Sequence, residues 1–191
     1  MPLNLPNLLT WLRILLIPLL VGVFYLPAGW LSGDEANLWA TAFFVLASLT
    51  DWLDGWLARL LGQTSAFGAF LDPVADKLMV AAALIVLVDL HRAPAVIALI
   101  IIGREIAISA LREWMAKTGK AASVAVSFVG KLKTAFQMIA ITLLLYHAPL
   151  AGLPIAAAGE ALLVLAAVLT LVSMGYYLYL AARARSEPRP G

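Results

Sequence analysis

Residues 51–77 read DWLDGWLARLLGQTSAFGAFLDPVADK, four aspartates set into a stretch otherwise dominated by apolar residues. Asp51 and Asp54 are three residues apart, and Asp72 and Asp76 four. At about 100° per residue, an i, i+3 pair lies about 60° apart on a helix and an i, i+4 pair about 40° apart, so each pair shares one face. Two such helices facing each other would bring four carboxylates together. Apolar runs flank the stretch on both sides, and a carboxylate in an apolar run is costly unless it faces a polar cavity or a cation. The motif therefore calls for a helical bundle with a wet pocket at one end.

The rest of the chain agrees. Of 191 residues, 63% are hydrophobic and 13% charged, with a mean hydropathy of +0.97, against about 25% charged residues in ordinary soluble domains. Six apolar runs are read at about 8–27, 36–60, 68–90, 94–115, 126–147 and 154–181, each long enough to span a bilayer at about 20 residues per span. The expected fold is an all-α integral membrane protein: six transmembrane helices around a polar pocket open to the cytoplasm, forming one domain over residues 1–191. The first run lacks a basic segment before it and reads as a retained anchor rather than a signal peptide. With no cysteine, disulfides, thiolate metal sites and cysteine nucleophiles are excluded, and any metal must be held by oxygen or imidazole.

The distribution of the 13 Lys and Arg residues sets the orientation. Arg92 stands apart near the second outer turn. Arg13, Arg59, Lys77, Arg104, Arg112, Lys117, Lys120, Lys131, Lys133, Arg183, Arg185 and Arg189 fall on the other side, which the positive-inside rule makes cytoplasmic, along with both termini. Asp51, Asp54, Arg59, Asp72, Asp76, Arg104 and Arg112 gather at the cytoplasmic ends of the second, third and fourth runs. Hard divalent cations neutralise an all-oxygen cluster of this kind, and such a site suits a diphosphate. Gly55 and Ala58 share a face with Asp51 and leave room for a ligand, and Gly68 precedes Asp72 by one turn. Pro73 either opens the third helix, with Asp72 as its N-cap, or interrupts a helix already under way.

The spacing Asp51-x2-Asp54-Gly55-x2-Ala58-Arg59-x8-Gly68-x3-Asp72-x3-Asp76 resembles the signature of the CDP-alcohol phosphatidyltransferases, a family of six-helix membrane enzymes. NLPNLLTWLRILLIP near the start and GREIAISALREWMAKTGKAASVAVSFVGKLKT further on are similar to the bacterial branch that uses sn-glycerol 3-phosphate. The resemblance implies a metal-dependent exchange in which CDP-diacylglycerol and sn-glycerol 3-phosphate give phosphatidylglycerophosphate and CMP. It implies two divalent cations, Mg²⁺ or Mn²⁺, on Asp51, Asp54, Asp72 and Asp76, with Asp76 also the general base. Asp51, Gly55, Ala58, Arg59, Gly68 and Asp72 would bind CDP-diacylglycerol. A bacterial inner-membrane location, contact with membrane lipids, a homodimer and no nucleic-acid partner are further expectations.

A phosphorylated acceptor needs cationic donors, for which Arg104, Arg112, Lys131 and Lys133 are the candidates. Arg104 and Arg112 lie about 80° apart on a helix and can converge, whereas Lys131 and Lys133 lie about 200° apart. The rival readings are a family member with another alcohol acceptor and a cation transporter, since intramembrane carboxylates also mark ion pathways. The aspartates cluster at one face without a polar path to the other, which disfavours transport.

Overall fold

The computed structural model describes residues 5–61, 66–117, 128–150 and 152–186, and the described residues form six helices and no β-sheet. They are α1 (Leu5–Gly22, continued by a 3₁₀ turn Val23–Tyr25), α2 (Gly33–Leu61), α3 (Ala66–Asp89), α4 (Ala95–Lys117), α5 (Phe128–Tyr146) and α6 (Ile155–Ser186). Each falls on one of the six apolar runs. Pro73 lies inside α3, seven residues after its start, so the helix is already under way when the proline arrives and Asp72 is not its N-cap.

Local chemistry explains several helix ends. Before α2, the Ser32 hydroxyl accepts from Glu35 N–H at 3.3 Å while Ser32 N–H donates to the Glu35 carboxylate at 2.8 Å, a reciprocal capping box. The bonds from Ser32 hold the Glu35 carboxyl below its ordinary pKa. The two histidines, His91 and His147, both leave helices through left-handed backbone, φ 58° in each. His91 N–H returns to Val88 O at 3.0 Å and His147 N–H to Leu143 O at 2.9 Å, so each tightens a helix C-terminus. Arg92, the cation that stands apart in the sequence, donates to Leu144 O at 3.2 Å, Leu145 O at 3.1 Å and Asn37 Oδ1 at 2.8 Å. It satisfies the last carbonyls of α5 and ties that end to α2, which gives it a structural reason to sit there.

The apolar core joins all six helices around Leu20, Phe44, Leu84, Ile101, Leu144 and Leu163, and reaches the aspartates through Ala47, Met79 and Val80. Ala36, Ala40 and Ala47 present the small face of α2 inward, while Leu38, Leu46 and Leu49 point outward. Large apolar side chains are exposed on every helix, the surface expected of a bundle solvated by lipid rather than water. Leu8–Tyr25 and Ile155–Tyr176 are long and apolar enough to cross a membrane, and Leu132–Tyr146 is apolar but shorter. Ionisable residues interrupt the apolar windows of α2, α3 and α4. Hydroxyls in the helices donate to carbonyls one turn back, as Thr41 does to Asn37 O and Thr142 to Met138 O, which spares their burial cost.

The up-and-down course brings the starts of α1, α3 and α5 to the same end of the bundle as the last halves of α2, α4 and α6. Asp51, Asp54, Asp72, Asp76, Arg112, Lys131 and Lys133 are carried by these segments, and Arg104 lies near the middle of α4.

Candidate active site

Helix α1 packs against both α2 and α3, and two of its polar residues, three apart, face the seam between them. The Thr10 hydroxyl donates to Asp72 Oδ1 on α3 at 2.5 Å. The Arg13 guanidinium pairs with Asp51 Oδ1 on α2 at 2.8 Å. Thr10 and Arg13 are each 1% exposed, whereas the Asp51 side chain is 47% exposed. A fully buried guanidinium needs a carboxylate partner, and this pairing holds Asp51 at the cavity wall.

A cavity of about 280 Å³ opens there, lined by Arg13, Asp51, Asp76, Ser48, Thr134 and Met138 among others. Asp51 and Asp76, from different helices, thus face one space, as the paired spacing anticipates. Thr134 brings α5 to the same wall. Gly68 is buried in α3 one turn before Asp72. The side chains of Asp54, Gly55, Ala58, Arg59, Arg112 and Lys131 lie outside the described residues, although their backbone is helical in α2, α4 and α5.

Beside this cavity a second polar cluster joins α4, α5 and α6. Lys133 Nζ donates to Glu105 Oε1, and Arg104 NH1 donates to the same oxygen at 3.2 Å. Arg104 NH2 also donates to Ser173 Oγ at 3.0 Å, and Ser173 in turn donates to Thr170 O at 2.9 Å. Asp76 lines the cavity and interacts electrostatically with Asp51 and Arg13 and with Glu105 and Lys133 of the second cluster.

Of the residues expected to hold the acceptor phosphate, Arg104 and Lys133 are therefore brought together. Lys133 turns inward. Thr10, Arg13 and Glu105 complete the site without having been singled out for it. Glu105 carries the same signal that exposed the aspartates, an ionisable residue inside an apolar run. Thr10 and Arg13 carry a weaker one, since their partners lie on other helices.

The donor set fits a hard divalent cation in kind. Asp51, Asp72 and Asp76 supply carboxylate oxygens, the donors a hard cation prefers. Among the described residues no three acidic or imidazole side chains enclose a metal-sized space by themselves, and the side chain of Asp54, the fourth member, is outside that set.

A family model described as CDP-alcohol phosphatidyltransferase matches residues 3–172. The chain is 50% identical over 186 residues to the CDP-diacylglycerol--glycerol-3-phosphate 3-phosphatidyltransferase of Escherichia coli K12, covering 96% of this chain and 97% of that one. It is 50% identical over 185 residues to the protein of the same name from Sodalis glossinidius, covering 95% and 96%. The Salmonella typhimurium protein of that name is 49% identical over 180 residues, covering 93% and 94%. With the aspartate spacing intact and the match running through nearly the whole chain, this protein belongs to the CDP-alcohol phosphatidyltransferase family.

Proposed function

We propose that the chain transfers the phosphatidyl group of CDP-diacylglycerol to sn-glycerol 3-phosphate, releasing CMP and forming phosphatidylglycerophosphate. The observation that carries this reading is that Asp76 lines the cavity it shares with Asp51 and interacts electrostatically with Glu105 and Lys133 of the Arg104–Glu105–Lys133 cluster. The cavity suits a metal-bound diphosphate and the cluster's cations an anionic acceptor.

In this reading Asp51, Asp54, Asp72 and Asp76 hold two divalent cations, Mg²⁺ or Mn²⁺. When bound, these ions neutralise the diphosphate and ease departure of CMP. Thr10 and Arg13 keep Asp72 and Asp51 in place. Gly55, Ala58 and Gly68 leave room for the nucleotide, and Arg59 meets its phosphate. Arg104, Lys133, Arg112 and Lys131 hold the acceptor phosphate through charge-assisted hydrogen bonds. The Asp76 carboxylate takes the proton from the acceptor hydroxyl. The freed oxygen bonds to the phosphorus that carries diacylglycerol as the phosphoanhydride bond to CMP breaks, and CMP leaves with that bond's electron pair.

The same reading places six membrane spans in a bacterial inner membrane, with the site and both termini cytoplasmic, so that the acyl chains stay in lipid while the headgroup enters. An acceptor panel tests it: purified protein, CDP-diacylglycerol, Mg²⁺, and sn-glycerol 3-phosphate, glycerol, serine or inositol in turn. CMP release should depend on sn-glycerol 3-phosphate, stop on adding EDTA and return with excess Mg²⁺ or Mn²⁺. Equal release with an unphosphorylated alcohol would leave only the family assignment standing.

A further inference from the structure

Glu105 follows Arg104 directly on α4 and lies 28 residues before its other partner, Lys133 on α5. Consecutive helical residues diverge by about 100° and do not ordinarily meet. Here both side chains lean to one point, because Lys133 reaches in from α5 and Ser173 from α6. Lys133 is 2% and Arg104 9% exposed, so neither cation can rely on water for its counter-charge. One oxygen, Glu105 Oε1, accepts from both. An ammonium and a guanidinium sharing a single anionic oxygen are held at the separation that one phosphate oxygen also bridges.

We propose that Glu105 is a positioning residue: it keeps Lys133 Nζ and the Arg104 guanidinium converged so that the phosphate of the acceptor meets a preformed pair of donors. This rests on the acceptor reading above. Without the carboxylate, two buried cations repel each other, and Lys133, on its flexible four-carbon stem, turns toward Asp76, with which it already interacts. The acceptor then loses its anchor, and the hydroxyl its register against the base. Glu105 itself touches no reacting atom.

The test compares the full-length wild type with Glu105→Ala, Glu105→Gln and Glu105→Asp, measuring KM for each substrate and the thermal midpoint. Glu105→Ala should raise the sn-glycerol 3-phosphate KM at least about tenfold, the effect of one lost charge-assisted hydrogen bond, with the CDP-diacylglycerol KM little changed. Glu105→Gln should recover part of this, since its amide oxygen can accept the same two bonds. A merely structural role would lower the midpoint, move both KM values together and give no recovery with glutamine. Either that pattern or an unchanged acceptor KM overturns the proposal. Should Glu105→Ala not fold, Glu105→Gln decides: an acceptor-specific rise of a few-fold supports the role, and none contradicts it. A wild type that releases no CMP with sn-glycerol 3-phosphate defeats the acceptor reading as well, a result distinct from active wild type with indifferent variants.

Discussion

Thr10 and Arg13 sit one turn apart on α1, and each grips an aspartate of a different helix. A hydrogen bond to a carboxylate contributes about 1.5–3 kcal/mol, so Thr10→Val should raise the half-maximal Mg²⁺ concentration by up to roughly ten- to a hundredfold. Thr10→Ser should restore it. Mn²⁺ binding followed by electron paramagnetic resonance reads the same effect without turnover, and unchanged affinity would separate Thr10 from the metal ligands. That α1 reaches the site was not legible in the sequence. Thr10 and Asp72 are 62 residues apart, and helical spacing relates residues only within one helix. The aspartates were legible because each pair obeys that local spacing and because charge in an apolar run demands a reason. Glu105 meets the same criterion, but an anion among candidate phosphate-binding cations shows its place only once its partners on α4 and α5 are seen to converge on it.

At the scale of the element, α5 and α6 pack closely where Gly159 meets Leu144. A Cβ built on Gly159 would come within 2.9 Å of Leu144 Cγ and 3.2 Å of Leu143 Cβ. Leu144 is fully buried in the core and has little room to yield. Gly159→Ala should therefore cost about 1–3 kcal/mol, seen as a lower thermal midpoint in detergent. The acceptor and donor KM values should stay near wild type, because the seam lies at the end of the bundle away from the aspartates. An unchanged midpoint would mean the helices can separate freely there. Helix existence was readable from the apolar runs, and the ends agree to within a few residues. The choice at Pro73 was not, since a proline fits both the first turn of a helix and a helix kink. Packing of α3 onto α1 and α4 favours continuing the helix through it.

For the whole molecule, the absence of cysteine makes orientation directly measurable. Single substitutions Leu150→Cys, in the α5–α6 turn, and Ser186→Cys, at the end of α6, report opposite ends of the bundle. In intact spheroplasts a membrane-impermeant maleimide should label Leu150→Cys and spare Ser186→Cys until the membrane is opened. The reverse pattern would turn the site outward, away from the cytoplasmic side that the clustering of Lys and Arg selects.

Phosphatidyl transfer at the carboxylate end of this bundle, with Asp76 as base, is the proposed reaction. The most direct measurement is the lipid product of purified protein given CDP-diacylglycerol, sn-glycerol 3-phosphate and Mg²⁺, quantified against CMP for wild type and Asp76→Asn. The wild type should form one phosphatidylglycerophosphate per CMP. Asp76→Asn should form it about 10²–10⁴ times more slowly while still binding CDP-diacylglycerol. Product formation at the wild-type rate in Asp76→Asn, or none in the wild type, would contradict the account.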